Sequence, residues 1–261
     1  MQKFKKRGKQ TFKLFWSVQG IRSKIVALVF IIGTIFLFPF RQRFGMERYQ
    51  KLRFLFIFAH VYIKNEDGTF YCRRRTDDFG LVSIFHEQSL RKFFVLEQGI
   101  FLDVGAHIGK YTVMIGNQIK GKGKVIAIEP DPENFAVLLK NIHLNSMENV
   151  FPLNLAAASE EGKRDFFVDS FNTGHNTFYG KGQRRFRKIE VACQRLDTIL
   201  AAHGVFRIDL LKIDVEGAEE GVLEGLGSYL FQTKMIIYED FTNRATSFLR
   251  ARGFRIVATE D

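Results

Sequence analysis

The stretch FLDVGAHIGKYT, residues 101–112, is an apolar run that closes on an acid, turns through two glycines four residues apart and opens into a helix-forming segment. An apolar strand that hands over to a helix through glycines is how an open α/β sheet builds a ligand site at the carboxyl end of a strand. The spacing of Gly105 and Gly109 is not the G-x-G-x-x-G of a nicotinamide-dinucleotide loop, and Asp103 sits two residues before the first glycine. A carboxylate there would repel a pyrophosphate, whereas a ligand with an ammonium and a sulfonium would be attracted to it.

Downstream of this block, strand and helix patterns alternate. Residues 109–119 read as a helix, Gly121–Gly123 break it, and Lys124–Glu129 is a second apolar strand. Asp131 is placed to cap the next helix, with Pro132 in its first turn and Phe135, Leu138, Leu139 and Ile142 at helical spacing. Further strands are expected near 150–156, 208–214 and 234–239, and helices near 216–227 and 243–252. Strands alternating with helices predict a mostly parallel sheet with helices on both faces. Phe166–Val168 and Ile189–Val191 read as strands around a polar loop that holds Asn172, Gly174, His175 and Asn176.

Two more blocks complete the candidate site. VIAIEPDP, residues 125–132, puts Glu129 at the end of the second strand, 20 residues after Gly109, where a carboxylate can accept both hydroxyls of a ribose. LLKIDVEGAE, residues 210–219, carries Lys212, Asp214 and Glu216 at period 2, so in a strand they share one face. Three charges on one face of a buried strand ask for a partner or a ligand. Asp214 and Glu216 would meet the cleft, with Lys212 tempering their repulsion, or Lys212 and Asp214 merely neutralise each other. Glu239, closing MIIYE, is a fourth acid of the same kind. His107 lies inside the glycine turn, and His175 lies where it could reach a substrate.

The net charge of +11 is confined to one end. Residues 1–60 carry 13 Lys/Arg and a single acid, Glu47, while residues 61–261 carry 26 bases and 27 acids. A nucleic-acid enzyme spreads positive charge along its channel, so no nucleic-acid partner is expected; the N-terminal segment instead faces something anionic. Residues 25–40 are free of charge and would span roughly 24 Å as a helix, against a hydrocarbon core of about 30 Å. This segment reads as a membrane segment, spanning or re-entrant, with a core helix or a signal peptide as alternatives; Pro39-Phe40-Arg41 offers no small-residue cleavage site. The larger basic cluster before it would place a spanning chain's body outside, which conflicts with a cytoplasmic cofactor. An interfacial anchor with both basic flanks on one anionic leaflet removes the conflict. The organisation expected is a basic segment at 1–24, the hydrophobic segment at 25–40, a basic linker or interfacial helix at 41–59, and a catalytic domain from 60 to 261, opened by a hairpin around Asp67-Gly68. Cys72 and Cys193, far apart, suggest neither a disulfide framework nor a zinc module.

The three blocks, in this order, resemble the FkbM family of S-adenosylmethionine-dependent methyltransferases, over about residues 60–258. The resemblance implies a Rossmann-like class I methyltransferase fold with a late antiparallel strand, S-adenosylmethionine as cofactor, and methyl transfer to an acceptor hydroxyl, typically of a sugar or polyketide. It implies that Asp103, Gly105, Ala106, His107, Gly109, Tyr111, Thr112, Glu129, Pro130 and Asp131 hold the cofactor. Asp214, Glu216, Lys212 and His175 then serve the acceptor, with Asp214 as base or as ligand of a metal doing that task. The family often has Asn where this chain has His107. A membrane-attached, catalytically inactive scaffold and a nicotinamide oxidoreductase are the competing readings, with the catalytic part expected on the cytoplasmic side of a membrane.

Overall fold

The computed structural model describes residues 15–259 except 46–47, 50–51, 54, 84–86, 170–173, 175 and 180–185. The chain divides into two compact units, residues 1–88 and 89–261.

In the first unit a short strand β1 (Val18–Gln19) leads into helix α1 (Ile21–Leu37), which continues through a 3₁₀ turn into α2 (Arg41–Phe44). Strands β2 (Val61–Lys64) and β3 (Thr69–Cys72) form the expected hairpin, and β1 pairs antiparallel with β2. Asn65 closes the turn by accepting from the Asp67 and Gly68 amides through Oδ1. One side of α1, carrying Ser23, Val26, Ala27, Phe30 and Gly33, is buried. Phe30 packs edge-on against Phe79 at 5.5 Å, and the Tyr62 amide donates to Ser23 Oγ. Gly33 leaves room for the Phe56 ring, which would lie 2.5 Å from a Cβ at that position. Helix α3 (Asp78–Leu81) follows, with buried Asp78 gripped in bidentate fashion by Arg73.

The second unit is built on five parallel strands in the order β11-β10-β4-β5-β6: β4 (Gly99–Val104), β5 (Gly123–Ile128), β6 (Val150–Leu153), β10 (Leu210–Ile213) and β11 (Ile236–Tyr238). Helix α4 (Lys110–Gln118) links β4 to β5, and α5 (Pro132–Leu144) links β5 to β6. Beside this sheet lies a smaller one, order β7-β9-β8, from β7 (Ala156–Ala157), β8 (Gly162–Asp169) and β9 (Phe186–Gln194). Helices α6 (Leu196–Ala202), α7 (Glu219–Gly225) and α8 (Arg244–Arg250) complete the unit.

Alternation along the strands explains the core. Leu102, Val104, Ile126, Ile128, Leu211 and Ile213 pack with Leu196, Ile199 and Leu200 of α6, Val222 and Leu223 of α7, and Leu249 of α8. The residues between them, Phe101 and Asp103 on β4 and Lys212 on β10, point to the opposite face. Parallel pairing aligns Lys212 with Asp103 across adjacent strands. The doubly covered parallel sheet is the expected class. The late antiparallel strand is absent among the described residues: none follows β11, and residues after α8 are irregular up to 259.

Candidate active site

All the sequence blocks converge on the carboxyl ends of β4, β5 and β10. The turn after β4 is stitched to β5: the Gly105 and Ala106 amides both donate to the Ile128 carbonyl, at 3.0 and 2.9 Å. Gly105, His107 and Gly109 all adopt positive φ, at 78°, 52° and 90°. A side chain on Gly105 would strike the Asp214 carbonyl, and one on Gly109 would lie 2.6 Å from Leu138 Cδ1. These glycines are therefore demanded by the approach of neighbouring protein, whereas sequence reasoning attributed them to the approach of a ligand. Gly105→Ala combines a left-handed backbone with that clash and is expected to destabilise the protein by about 2–4 kcal/mol, read by thermal or denaturant unfolding.

Asp103 is fully buried. Its Oδ2 accepts from Thr112 Oγ1 at 2.6 Å, while Oδ1 has no hydrogen bond and lies 3.5 Å from Lys212 Nζ. Lys212 Nζ donates to the Gly105 carbonyl at 2.8 Å and lies 3.3 Å from Asp214 Oδ2. One buried ammonium thus stands between a carboxylate on β4 and another just past β10. The period-2 reading of 212 and 214 is realised in space.

Glu129 closes the second strand, almost completely buried. Its two oxygens accept from the His107 and Asp131 amides at 2.8 and 3.0 Å, and the carboxylate also accepts from the Asn134 side chain. Burial, helped by the nearby charge of Asp131, pushes its carboxyl up to about 7 despite the two amides and the Asn134 side chain, which pull it down. Asp131 is the helix cap the sequence suggested, accepting from the Glu133 amide through Oδ1. Its Oδ2 accepts from Asn176 Nδ2, so both oxygens are engaged in holding structure. Tyr111 is buried too, stacked on Phe94 at 3.9 Å between ring centres, with Lys212 Nζ 5.7 Å from its ring centre. Pro130 lies between Glu129 and Asp131 in the same turn.

Sequence reasoning missed the clamp formed by residues 176–177. Asn176 also accepts from the Asp169 amide, and Thr177 Oγ1 donates to the Glu216 carbonyl. The polar loop is thereby tied both to the end of β5 and to the turn after β10. The asparagine was visible as part of a polar loop, but its partner, 45 residues away, was not. His175 lies outside the described residues.

Asp214, Glu216 and Glu239 bring carboxylate oxygens within 4.8 Å of one another, a set able to hold one divalent cation. Glu216 owes its direction to a left-handed backbone, φ 53°. Next to Glu216, a cavity of about 250 Å³ opens, lined among others by Ser159, Arg164, Tyr179, Glu220, Thr242 and Arg244.

The donor set fits a cationic, ribose-bearing ligand: Asp103 offers a buried oxygen without a hydrogen bond to an ammonium, and Glu129 offers the acceptor capacity its three protein donors leave to a hydroxyl. A family model described as the methyltransferase FkbM domain matches residues 103–256, more than half of the chain. The chain belongs to the FkbM methyltransferase family. It is 30% identical over 154 residues to methyltransferase sdnD of Sordaria araneosa, covering 48% of this chain and 59% of that protein. It is 26% identical over 144 residues to the hexuronic acid methyltransferase AglP of Haloferax volcanii, covering 55% of this chain and 56% of that one. The chain thus spans less than two thirds of the length of these relatives. A solved methyltransferase FkbM from Methylobacillus flagellatus shares 16% identity at a TM-score of 0.44, over 87% of this chain and 56% of its own. Membership sets aside the nicotinamide oxidoreductase that the glycine spacing already disfavoured.

Proposed function

We propose that this family member is an O-methyltransferase that uses S-adenosylmethionine to methylate a hydroxyl of a sugar or related acceptor. The observation that carries the reading is the Asp103–Lys212–Asp214 bridge at the ends of neighbouring parallel strands, with Glu129 on the next strand. Similarity to a hexuronic acid methyltransferase supports a sugar acceptor.

When bound, S-adenosylmethionine supplies an electrophilic methyl group on a sulfonium. Asp103 would hold its ammonium and Glu129 its ribose hydroxyls, with the His107 turn closing over them. Lys212 fixes the Asp214 side chain while neutralising part of the acidic cluster. Asp214 would accept the acceptor hydroxyl's proton as the hydroxyl oxygen takes the methyl group, the carbon–sulfur bond breaking to leave S-adenosylhomocysteine. Positioning supplies most of the effect and the proton transfer the rest. Where Asp214, Glu216 and Glu239 hold a cation instead, EDTA abolishes turnover; turnover that survives EDTA assigns Asp214 as the base.

The same reading attaches the chain to an anionic membrane through its basic, apolar N-terminal region, with the catalytic unit on the cytoplasmic side and the acceptor lipid-linked. The test is a labelled-methyl transfer assay over a panel of lipid-linked and free sugars, uronic acids included. Labelled methyl ether on a sugar supports the proposal, and label on nitrogen or carbon alone ends it.

The Glu129 carboxyl gives a pH prediction. Its folded value, about 7, lies above the ordinary 4.5, so between these values the folded state keeps a proton that the unfolded state has released. This group's contribution to stability is therefore fully present below about 4.5 and is lost as pH rises through that window. Ribose hydroxyls donate to the ionised form, so binding favours deprotonation. Affinity for S-adenosylhomocysteine is expected to weaken by up to about tenfold per unit below about pH 7, and Glu129→Gln to flatten that dependence. A wild-type affinity independent of pH in calorimetric titrations removes Glu129 from the ribose site.

A further inference from the structure

Helix α1 is two-faced in a way its composition does not show. Ser23, Val26, Ala27, Phe30 and Gly33 are buried against the chain's own first unit, whereas Ile21, Ile25, Leu28, Ile32, Ile35 and Phe36 are exposed. At 3.6 residues per turn the exposed six fall within an arc of about 100° opposite the buried five. Ile21 is 81% exposed and Phe36 69%, so nothing among the described residues covers this stripe.

We propose that α1 lies in the plane of an anionic bilayer surface, with this stripe in the acyl boundary and its basic flanks on the headgroups of one leaflet. The inference rests on the membrane attachment proposed above and specifies how it is made. A spanning helix needs lipid or a membrane-buried partner on every side, and this one carries a polar hairpin on its back. Ser23 Oγ accepts from the Tyr62 amide, and Arg53 Nε donates to Thr34 Oγ1 with its guanidinium 5.3 Å from the Phe30 ring. Crossing the bilayer would carry Arg53 and the strand bearing Lys64 into hydrocarbon. Lying flat leaves them in water.

Charge selects the partner. Arg22, Lys24, Arg41, Arg43 and Arg48 flank the stripe, and no acid occurs between residues 15 and 44. A second copy placed face to face would bring these cations together, whereas anionic headgroups complement them. Exposed Trp16, Phe38 and Phe40 stand at the two ends, where aromatic rings favour the interface. The continuous helical run Ile21–Phe44 gives a flat footprint about 36 Å long.

The test uses the full chain with vesicles of phosphatidylcholine and phosphatidylglycerol or of phosphatidylcholine alone. Flotation is expected with the anionic vesicles only, weakening as salt rises, and Leu28→Glu/Ile32→Glu is expected to abolish it without changing affinity for S-adenosylhomocysteine. In sealed membranes, Gln19→Cys and Gln42→Cys flank the helix, and both native cysteines are buried. A membrane-impermeant maleimide is expected to label both from one side. Labelling from opposite sides, flotation unaffected by the double variant, or a dimer that the double variant splits while flotation persists would each overturn the proposal. Because cofactor affinity is read in the same preparation, these outcomes stay separate from any failure of the methyltransferase reading.

Discussion

Replacing Asp214 by Asn is expected to lower turnover by about 10²–10⁴-fold while leaving affinity for S-adenosylhomocysteine nearly unchanged. The substitution keeps the side chain's size and removes its ability to take a proton. Lys212 retains its bond to the Gly105 carbonyl and its neighbour Asp103, so the turn that would hold the cofactor is undisturbed. Paired titration and single-turnover measurements separate the two quantities. Full activity in Asp214→Asn would assign the proton elsewhere, with Glu216 and Glu239, in reach of the same point, the next residues to test.

The second large effect concerns stability. Lys212→Met removes the ammonium beside fully buried Asp103, whose Oδ1 has no hydrogen bond of its own. An uncompensated carboxylate in a parallel sheet costs about 3–5 kcal/mol, a fall in Tm of roughly 6–20 °C for a unit of this size. Because that loss comes from stranding Asp103, the double variant Asp103→Asn/Lys212→Met is expected to recover much of it. A single variant that melts with the wild type would mean that the pair holds nothing together. A double variant no better than the single would place the cost in lost packing of the lysine stem.

The strand–turn–helix at 99–118 was legible because glycine, apolar run and acid fall together within a dozen residues. The same holds for the hairpin at Asp67-Gly68 and for the cap at Asp131. Lys212 and Asp214 were legible as a shared face because strand period is 2, and parallel register then set Lys212 against Asp103. What stayed hidden depended on distant partners. Gly105 reads as a glycine that lets backbone approach a ligand until Asp214 is seen lying over it, and the Phe94 ring stacked on Tyr111 comes from outside the block. The pairing of β7 with β9 joins residues 156–157 to 193–194, a closure no local pattern announces. Helix α1 is apolar nearly all round, so its periodicity could not tell which side belongs to the hairpin; only Phe79, Tyr62 and Phe56 decide that. The late antiparallel strand came from resemblance alone, and the described residues do not contain it.

Calorimetric titration of the full chain with S-adenosylhomocysteine, and separately with NAD, bears most directly on the site at the ends of β4, β5 and β10. One S-adenosylhomocysteine is expected to bind per chain, NAD to give no heat, and Glu129→Ala to abolish the first signal. Binding of NAD without S-adenosylhomocysteine, or undiminished affinity in Glu129→Ala, would contradict a methyl-donor pocket gripped by these acids.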